Sequence, residues 1–445
     1  MRGGFLRKVM MIPLSPCAVY VLDRVLSDPA ASSRMERILA GLGSAPKKIT
    51  VITAENLPEV VAEIDTLWPP SSAPKGVPES WTRPLVFTLM EMGRADNIAH
   101  LLKRWPGDVN TAHLRRILGI WTNAVDQHPH RLDWQNDCVC WPTYNFGTMS
   151  GCPHGCRYCS SGREGKFIAV GLNIEEYMER VVIPVIETYP WNKVFRMILD
   201  GADLITFEPE YGLHELFADI VARYERWGYF HTASDNVEWL AHLRHRDRLI
   251  GVWTLTPDGI AREFEPGAPT GLERVRAAAR CAEMGIPVRF KLKPVIPAKN
   301  WQEEYRAFIR QALTLARPES MGFAVYMWNS FESLSASLDL SLLDPDCVRA
   351  ARDAREEMRG VKTGPFPHEC RKRIYRFLVS EARRWDSEIP LYLSTESREM
   401  WDELKEELGQ DPSAYICGCS SVAVPGRRLA LCPGFRYSTY HPGPV

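Results

Sequence analysis

Short apolar runs alternate with stretches of helical spacing between residues 15 and 67. Residues 18–22 and 49–54 are continuous apolar runs and predict two strands. Apolar residues recur every three or four positions in 35–42 and 57–67 and predict two helices. A segment rich in proline and serine follows and ends at residue 77. The first 77 residues therefore predict a small α/β unit and a linker.

A helical segment is predicted next, from about residue 85 to residue 125. Its apolar residues keep a helical spacing, and Pro106 and Gly107 interrupt it. Residues 78–139 are accordingly interpreted as a helical insertion that packs on the core.

From residue 140 to residue 330 the pattern becomes an alternation of strands and helices. Strands are predicted at 194–199, 230–232, 249–255, 288–292 and 321–326. Helices are predicted between them, at 213–224 and at 272–284, where Gly285 provides a C-terminal cap. Such alternation predicts βα units and a mostly parallel sheet. Residues 331–445 are predicted to be helical at first and to end in a cysteine-rich extension.

Three cysteines stand within eight residues in the middle of the chain. Cys152, Cys156 and Cys159 have the spacing C-x3-C-x2-C. Thiolate ligands suit iron–sulfur clusters and zinc. A cubane cluster with three protein ligands keeps one iron open for chemistry, whereas a structural zinc site normally has four protein ligands. On spacing alone, zinc with His154, another cysteine or a distant residue as fourth ligand remains an alternative.

The cysteine motif, with Tyr158 before its third cysteine, resembles the radical S-adenosylmethionine (SAM) superfamily. Several later segments resemble spore photoproduct lyase and its relatives: 172–176, 263–267, 272–275, 293–296, 301–305 and 391–393. The resemblance extends over about residues 15–65 and 140–405 and leaves the 78–135 segment outside. It implies a partial (β/α)6 barrel that carries a 4Fe-4S cluster at its open end.

The resemblance also implies a reaction. SAM is expected to bind the open iron through its amino and carboxylate groups. One electron then splits a carbon–sulfur bond and gives methionine and a 5′-deoxyadenosyl radical, which takes hydrogen from an unidentified substrate. The cofactor supplies this chemistry, and the protein orients it. A flavodoxin- or ferredoxin-type protein is the implied electron donor, and the substrate class stays open among small molecules, peptides and nucleobases.

Site residues follow from the resemblance by position at the ends of the predicted strands. Tyr158 is expected near the adenine, and Asp203 is expected to have a catalytic role. Further contacts to SAM are expected from Asp200, Gly201, Ser234, Thr254 and Val295. For Ser234 and Thr254, a helix cap or an ordinary core hydroxyl is an equally good interpretation.

The family pattern breaks just after the second barrel strand. Spore photoproduct lyase has a cysteine hydrogen donor there, but residues 200–204 of this chain contain no cysteine. A carboxylate does not donate a hydrogen atom as a thiol does, so repair of thymine lesions by that route is doubtful. DNA lesion repair or nucleobase modification stays an alternative that needs another donor, such as a tyrosine or a C-terminal cysteine.

A second group of cysteines lies near the C-terminus. Cys417, Cys419 and Cys432, with Cys370 as a fourth ligand, could hold an auxiliary iron–sulfur cluster. Zinc or free thiols are the alternatives. Either site could also be completed by Cys138 or Cys140. The remaining cysteines lie in apolar contexts and are predicted to be buried structural thiols: Cys17, Cys281 and Cys347.

Charge and hydropathy limit the binding partners and the cellular location that are expected. The chain has 54 basic and 55 acidic residues and a net charge of −1, which gives no general attraction to nucleic acid or to an anionic membrane. The same balance disfavours a nucleic-acid-binding zinc protein. No apolar run reaches the length of a transmembrane helix. Pro13 and Pro16 interrupt the apolar stretch 9–22, so a signal peptide is not predicted and the expected location is the cytoplasm.

Overall fold

Two sheets organise the part of the chain that the structure describes. The computed structural model describes residues 12–68, 77–92, 98, 102–103, 109–121, 124–127, 139, 143–163, 165–198, 202–412, 415 and 417–426. Thirteen strands lie in these ranges: β1 (Val19–Leu22), β2 (Ile49–Ile52), β3 (Leu85–Thr88), β4 (Ala124–Gln127), β5 (Thr143–Phe146), β6 (Met149–Ser150), β7 (Ile168–Gly171), β8 (Val194–Met197), β9 (Trp227–Thr232), β10 (Leu249–Thr254), β11 (Val288–Val295), β12 (Met321–Val325) and β13 (Leu391–Leu393).

Helices connect and cover these strands. The α-helices of the described ranges are α1 (Asp23–Leu26), α2 (Pro29–Gly41), α3 (Leu57–Leu67), α4 (Thr111–Ile117), α5 (Ser160–Arg163), α6 (Ile174–Tyr177), α7 (Ile183–Thr188), α8 (Leu213–Arg223), α9 (Asp258–Phe264), α10 (Gly271–Glu283), α11 (Trp301–Ala316), α12 (Phe331–Ser337), α13 (Pro345–Asp353), α14 (His368–Trp385) and α15 (Arg398–Leu408). A π-helical stretch, Met178–Val182, joins α6 to α7. Among the described helices, none has the length and apolar character needed to cross a membrane.

The first sheet has the order β2-β1-β3-β7-β6 and is parallel except for β6 against β7. Strand β1 pairs with both β2 and β3, with Val19 opposite Ile49 on one side and Leu85 on the other. The α/β pattern predicted for the first residues is therefore present. It is part of a larger sheet, because β3, β6 and β7 extend it.

The helical prediction for residues 85–125 is wrong at two places. Leu85–Thr88 is strand β3, which lies between β1 and β7 with every residue buried. A short apolar run buried on both faces has no two-residue alternation, so its period does not distinguish it from a buried helix. Ala124–Gln127 is strand β4, antiparallel to β5. The helix α4 (Thr111–Ile117) agrees with the prediction.

The second sheet is a curled half-barrel with the order β13-β12-β11-β10-β9-β8-β5-β4. All its neighbouring strands are parallel except β4 against β5. Six strands, β5 and β8–β12, come from the region predicted as a partial (β/α)6 barrel, and that fold prediction is confirmed. Strand β13 adds a seventh parallel strand from the C-terminal region. The carboxyl ends of the parallel strands meet at one end of the half-barrel, where such folds place their sites.

Local sequence signals fix both ends of helix α10. Thr270 and Glu273 form a reciprocal capping box at the start of α10. Gly285 follows the helix with φ of +83°, as the predicted C-terminal cap requires. Helix α10 packs beside α11 on the outside of the half-barrel.

The C-terminal segment 417–426 lies under the amino ends of the parallel strands. The backbone N–H groups of Lys193 and Val194, at the start of β8, both donate to the carbonyl of Ser421 at 2.8 Å. The guanidinium of Arg289, at the start of β11, donates to the carbonyls of Gly418 and Ala423 at 2.9 and 2.8 Å. This segment therefore closes the end of the half-barrel opposite to the carboxyl ends of the strands.

Candidate cluster and cofactor site

The three-cysteine loop begins directly after β6 and leads into α5. Gly151 and Gly155 have φ of +88° and +64°, a backbone region that suits glycine. A Cβ at Gly151 would come 2.5 Å from the carbonyl oxygen of Phe167, and one at Gly155 would come 2.4 Å from Cβ of Ser80. The loop closes with the N–H of Cys159 on the carbonyl of Cys156 at 3.1 Å. These glycines let a tight loop present its three thiols to one cavity.

A buried arginine holds this loop from behind. The guanidinium of Arg83, which is 1% exposed, donates to the carbonyls of Cys152 and Gly162. It also lies over the ring of Trp68, with 4.5 Å between the guanidinium carbon and the ring centroid. The two carbonyls lie on either side of the cysteine motif. Arg83 therefore fixes the loop at both ends, a role that no sequence pattern indicated.

The segment from Phe264 to Gly267 holds the loop from another side. The N–H of Arg157 donates to the carbonyl of Phe264 at 2.9 Å, and the N–H of Gly267 donates to the carbonyl of His154 at 2.9 Å. The indole N–H of Trp81 donates to the carbonyl of Gly267 at 2.9 Å. The segment that carried the family resemblance is thus a backbone support for the cysteine loop.

Glu265 forms a buried polar network beneath Tyr158. Its carboxylate accepts hydrogen bonds from the Tyr158 hydroxyl at 2.6 Å and the Thr256 hydroxyl at 2.7 Å, and it pairs with the Arg274 guanidinium. Burial acts to raise the pKa of Glu265, but the Arg274 charge and these hydrogen bonds bring it below its ordinary value. The network fixes the phenol of Tyr158, whose pKa burial raises well above its usual range.

His154 is engaged at both ring nitrogens and is not available as a fourth metal ligand. Nε2 lies 2.7 Å from Oδ2 of Asp203, and Nδ1 lies 3.3 Å from the carbonyl oxygen of Gly267. Asp203 also accepts from the Thr232 hydroxyl at 2.8 Å and the Ala233 N–H at 2.8 Å. Burial acts to raise the pKa of Asp203, but the His154 hydrogen bond and charge leave it below its ordinary value. Asp203 is therefore an ionised acceptor that positions the loop.

The spacing of the sulfur atoms argues against one zinc ion. Among the described residues, only His368, Glu369 and Glu403 bring three ligand atoms of histidine, cysteine or carboxylate within 4.8 Å of one another. At least one pair of the motif sulfurs is therefore more than 4.8 Å apart. Three thiolates on one tetrahedral zinc would lie about 3.8 Å apart, given Zn–S bonds of about 2.3 Å. The donor set fits a larger iron–sulfur cluster, which Cys152, Cys156 and Cys159 would hold.

A cavity of about 730 Å³ opens at the carboxyl ends of the strands. The three cysteines line one wall, and Tyr158 and Asp203 lie beside them. The other walls carry side chains from the ends of β9, β10 and β11, namely His231, Thr254 and Lys293. A volume of this size is typical of small-molecule and cofactor sites.

The structure places only some of the predicted SAM contacts at the cavity. Tyr158, Asp203 and Thr254 line the cavity, and the Thr254 hydroxyl lies 2.7 Å from Nε2 of His231. Ser234 and Val295 are not among the lining residues. The Ser234 hydroxyl accepts from the N–H of Asn236 at 3.2 Å, which is a local turn hydrogen bond. The predicted contacts Asp200 and Gly201 lie outside the described residues.

Sequence reasoning missed several residues that build or line this site. Three of them were Arg83, Arg274 and Glu265, although Glu265 lies in the segment that carried the resemblance. The cavity wall adds three more: His231, Lys293 and Trp328. A two-residue alternation in β11 places Lys291 and Lys293 on one face, and that pattern of charges in a strand was the available signal.

The proposed auxiliary site is not assembled with Cys370. Cys417 and Cys419 lie in the segment under the amino ends of the strands, with 3.8 Å between their sulfurs. The sulfur of Cys370 lies 3.4 Å from that of Cys347. Cys370 stands in the first turn of α14, which leads into β13, so it lies toward the carboxyl ends of the strands. Placing Cys370 with Cys417 and Cys419 is therefore wrong.

The other cysteine predictions divide as follows. Cys281 and Cys347 are buried, as predicted, while Cys17 is partly exposed. Three further cysteines lie outside the described residues: Cys138, Cys140 and Cys432.

The ammonium of Lys291 lies 3.0 Å from the sulfur of Cys419. A hydrogen bond from Cys417 and the charge of Lys291 hold the pKa of Cys419 well below its usual range, although burial acts to raise it. Nothing in the described residues shows a second cluster.

A curled half-barrel of parallel strands with a three-cysteine loop at their carboxyl ends is the arrangement that the resemblance to radical SAM enzymes implied. Comparisons with known proteins agree. The family model for spore photoproduct lyase matches residues 141–325. Spore photoproduct lyase of Bacillus subtilis (strain 168) is 23% identical over 188 residues. That match covers 40% of this chain and 53% of the relative, so the chain spans about half of that protein's length.

Solved structures of spore photoproduct lyase share the fold. A doubly substituted variant with bound AdoMet and dinucleoside spore photoproduct has a TM-score of 0.58 at 14% identity, over 86% of this chain and 98% of that chain. A singly substituted variant has a TM-score of 0.58 at 15% identity with the same coverage. The resemblance of this chain to the spore photoproduct lyase-like group of the radical SAM superfamily is thereby confirmed.

Proposed function

We propose that this chain is a radical SAM enzyme with an unidentified substrate. When bound, a 4Fe-4S cluster and SAM would supply a 5′-deoxyadenosyl radical that takes hydrogen from that substrate. The observation that carries the proposal is the set of three thiols on one loop, facing a cavity at the carboxyl ends of parallel strands. His154, the histidine inside the motif, is hydrogen-bonded through both ring nitrogens to other groups.

The protein's own residues have three tasks in this proposal. Cys152, Cys156 and Cys159 hold the cluster, and burial raises the pKa of Cys152 to about 12, so a bound metal offsets this cost by replacing the proton. Tyr158, fixed by Glu265, forms a rigid wall beside the cysteines. His231 and Thr254, at the ends of β9 and β10, orient SAM in the cavity.

The nature of the hydrogen donor separates this proposal from lesion repair. The neighbour with bound dinucleoside spore photoproduct shares the fold. In this chain, residues 200–204 contain no cysteine, and Asp203 is an ionised hydrogen-bond acceptor. We therefore favour a substrate other than a thymine lesion. A catalytic role for Asp203 stays a prediction.

The electron donor and the compartment are further parts of the proposal. A flavodoxin- or ferredoxin-type protein would reduce the cluster, as the resemblance to radical SAM enzymes implies. A reducing compartment such as the cytoplasm suits a chain whose described cysteines are all free thiols.

Anaerobic reconstitution tests the proposed function. The wild-type protein should bind about four irons and four sulfides at the motif and release 5′-deoxyadenosine when it is reduced with SAM present. A variant with Cys152, Cys156 and Cys159 all replaced by alanine should lose both properties. Cys281→Ala, which removes a buried thiol outside the site, is the matched control and should keep both. A colourless wild-type protein with stoichiometric zinc would refute the proposal.

A further inference from the structure

The mouth of the cavity is built around the ammonium group of Lys293. This residue lies near the carboxyl end of β11 and lines the cavity. Its Nζ lies 4.5 Å from the ring centroid of Trp328 and 3.3 Å from the hydroxyl oxygens of both Ser394 and Thr395. An indole face and two hydroxyls thus hold one cation at the edge of the cavity.

Two of the residues around Lys293 have a strained backbone. Trp328 and Thr395 have φ of +62° and +60°, which side chains other than glycine rarely adopt. Thr395 is β-branched, so its conformation is the more unusual of the two. Backbone strain of this kind is concentrated at ligand and active sites. Both strained residues contact the same ammonium group, which indicates that the fold maintains this arrangement of side chains at the cavity mouth.

The indole of Trp328 remains open to a ligand despite its contact with Lys293. Trp328 is 58% exposed, while most large aromatic side chains of the core are buried. An exposed indole at the mouth of a cavity is a stacking surface for a planar ring. Its neighbour Lys293 would meet a charged group attached to such a ring.

Lys293 gives the mouth of the cavity a positive charge. Among the described lining residues Asp203 is the only carboxylate, and it is hydrogen-bonded to His154, Thr232 and Ala233. Arg116 is a second basic side chain among the lining residues. An acidic group on a substrate would be attracted to Lys293 at the cavity mouth.

We propose that the substrate is a small molecule in which a planar unsaturated ring carries an acidic group, with the ring on Trp328 and the acid on Lys293. This inference rests on the proposed function, because it names the substrate class of the same cavity. Phosphate and carboxylate offer the same charge-assisted hydrogen bond to an ammonium group, so both nucleotides and aromatic acids have the required chemistry.

Matched pairs of probes test this inference on the anaerobically reconstituted protein with SAM bound. Thymidine 5′-monophosphate is compared with thymidine, and indole-3-acetate with indole, by isothermal titration calorimetry. At least one acidic member should bind about tenfold more tightly than its neutral partner. The pair with the larger preference identifies the phosphate or the carboxylate as the natural group.

Two variants assign that preference to its residues. Lys293→Gln should remove the preference for the acid and leave SAM affinity unchanged. Trp328→Ala should weaken both members of a pair about tenfold, and Trp328→Phe should restore most of the binding. Trp385→Ala is the matched control, since Trp385 is also exposed and lies 5.2 Å from the guanidinium carbon of Arg310. That variant should bind all four probes like the wild type.

The inference is overturned if the wild type binds acids and neutral partners equally, or binds none of them. It is also overturned if Lys293→Gln weakens SAM binding as strongly as probe binding, because Lys293 would then contact SAM. Iron content and 5′-deoxyadenosine release are measured on the same wild-type preparation. Normal values without a charge preference would refute only this inference, whereas a charge preference without a cluster would refute only the proposed function.

Discussion

Replacing Glu265 by glutamine tests how the cysteine loop is anchored. The ion pair between Glu265 and Arg274 is buried, with side chains 1% and 0% exposed. Glutamine keeps the shape and an oxygen acceptor for Tyr158 and Thr256, but it removes the charge that compensates Arg274. Loss of one partner from a buried ion pair costs about 3–5 kcal/mol, because the other charge is left uncompensated. We expect the free energy of unfolding to fall by about that amount.

Urea unfolding of the metal-free protein, followed by fluorescence and circular dichroism, measures this loss. A double variant, Glu265→Gln with Arg274→Met, should be less destabilised than Glu265→Gln alone, because no buried charge is then unpaired. Asp346→Asn is the control, since its ion pair with Arg349 is exposed and should contribute less than about 1 kcal/mol. A loss below about 1 kcal/mol for Glu265→Gln, or a double variant as unstable as the single one, would refute the reasoning.

Four further predictions concern residues around the site. Asp203→Asn should lower cluster retention after gel filtration, because His154 loses its charged partner; unchanged iron content with lost activity would instead support a catalytic role. The folded-state pKa of Asp203 lies below 3.8, so its contribution to the stability of the fold should be present above that pH and disappear as the pH falls further. In an acid titration of stability, Asp203→Asn should therefore show a weaker pH dependence than the wild type. Cys370→Ala should leave the total iron unchanged in iron analysis, since Cys370 lies beside Cys347, and a loss of iron would restore it as a ligand. Gly155→Ala should also reduce iron loading, because its Cβ would come 2.4 Å from Ser80.

The parallel βα units were predictable because their strands and helices keep their own periods along the chain, whereas the partial barrel was implied by the family resemblance. Helix α10 also carries both end signals, the Thr270 capping box and Gly285. Strand β3 was missed because a run buried on both faces shows no alternation, so neighbouring strands rather than its own pattern decide its structure. Local sequence therefore predicted the repeating βα units but not the strand that lies between β1 and β7 in the first sheet.

The cysteine loop was predictable for a different reason, since its ligands are close in sequence. Its supports were not, because Arg83 reaches carbonyls 69 and 79 positions away and a single arginine in a loop has no pattern. The same limit explains the error at Cys370. Sequence shows that cysteines are numerous near the C-terminus, but not that Cys370 and Cys417 lie toward opposite ends of the parallel strands.

Electron–nuclear double resonance with SAM labelled with oxygen-17 in its carboxylate tests the central claim most directly. The claim is that three thiolates leave one iron accessible to SAM. For the reduced, reconstituted protein we predict a hyperfine coupling between the cluster and the labelled oxygen, and none in the variant without the three cysteines. A complete cluster in the wild type that shows no coupling to the label would contradict the account.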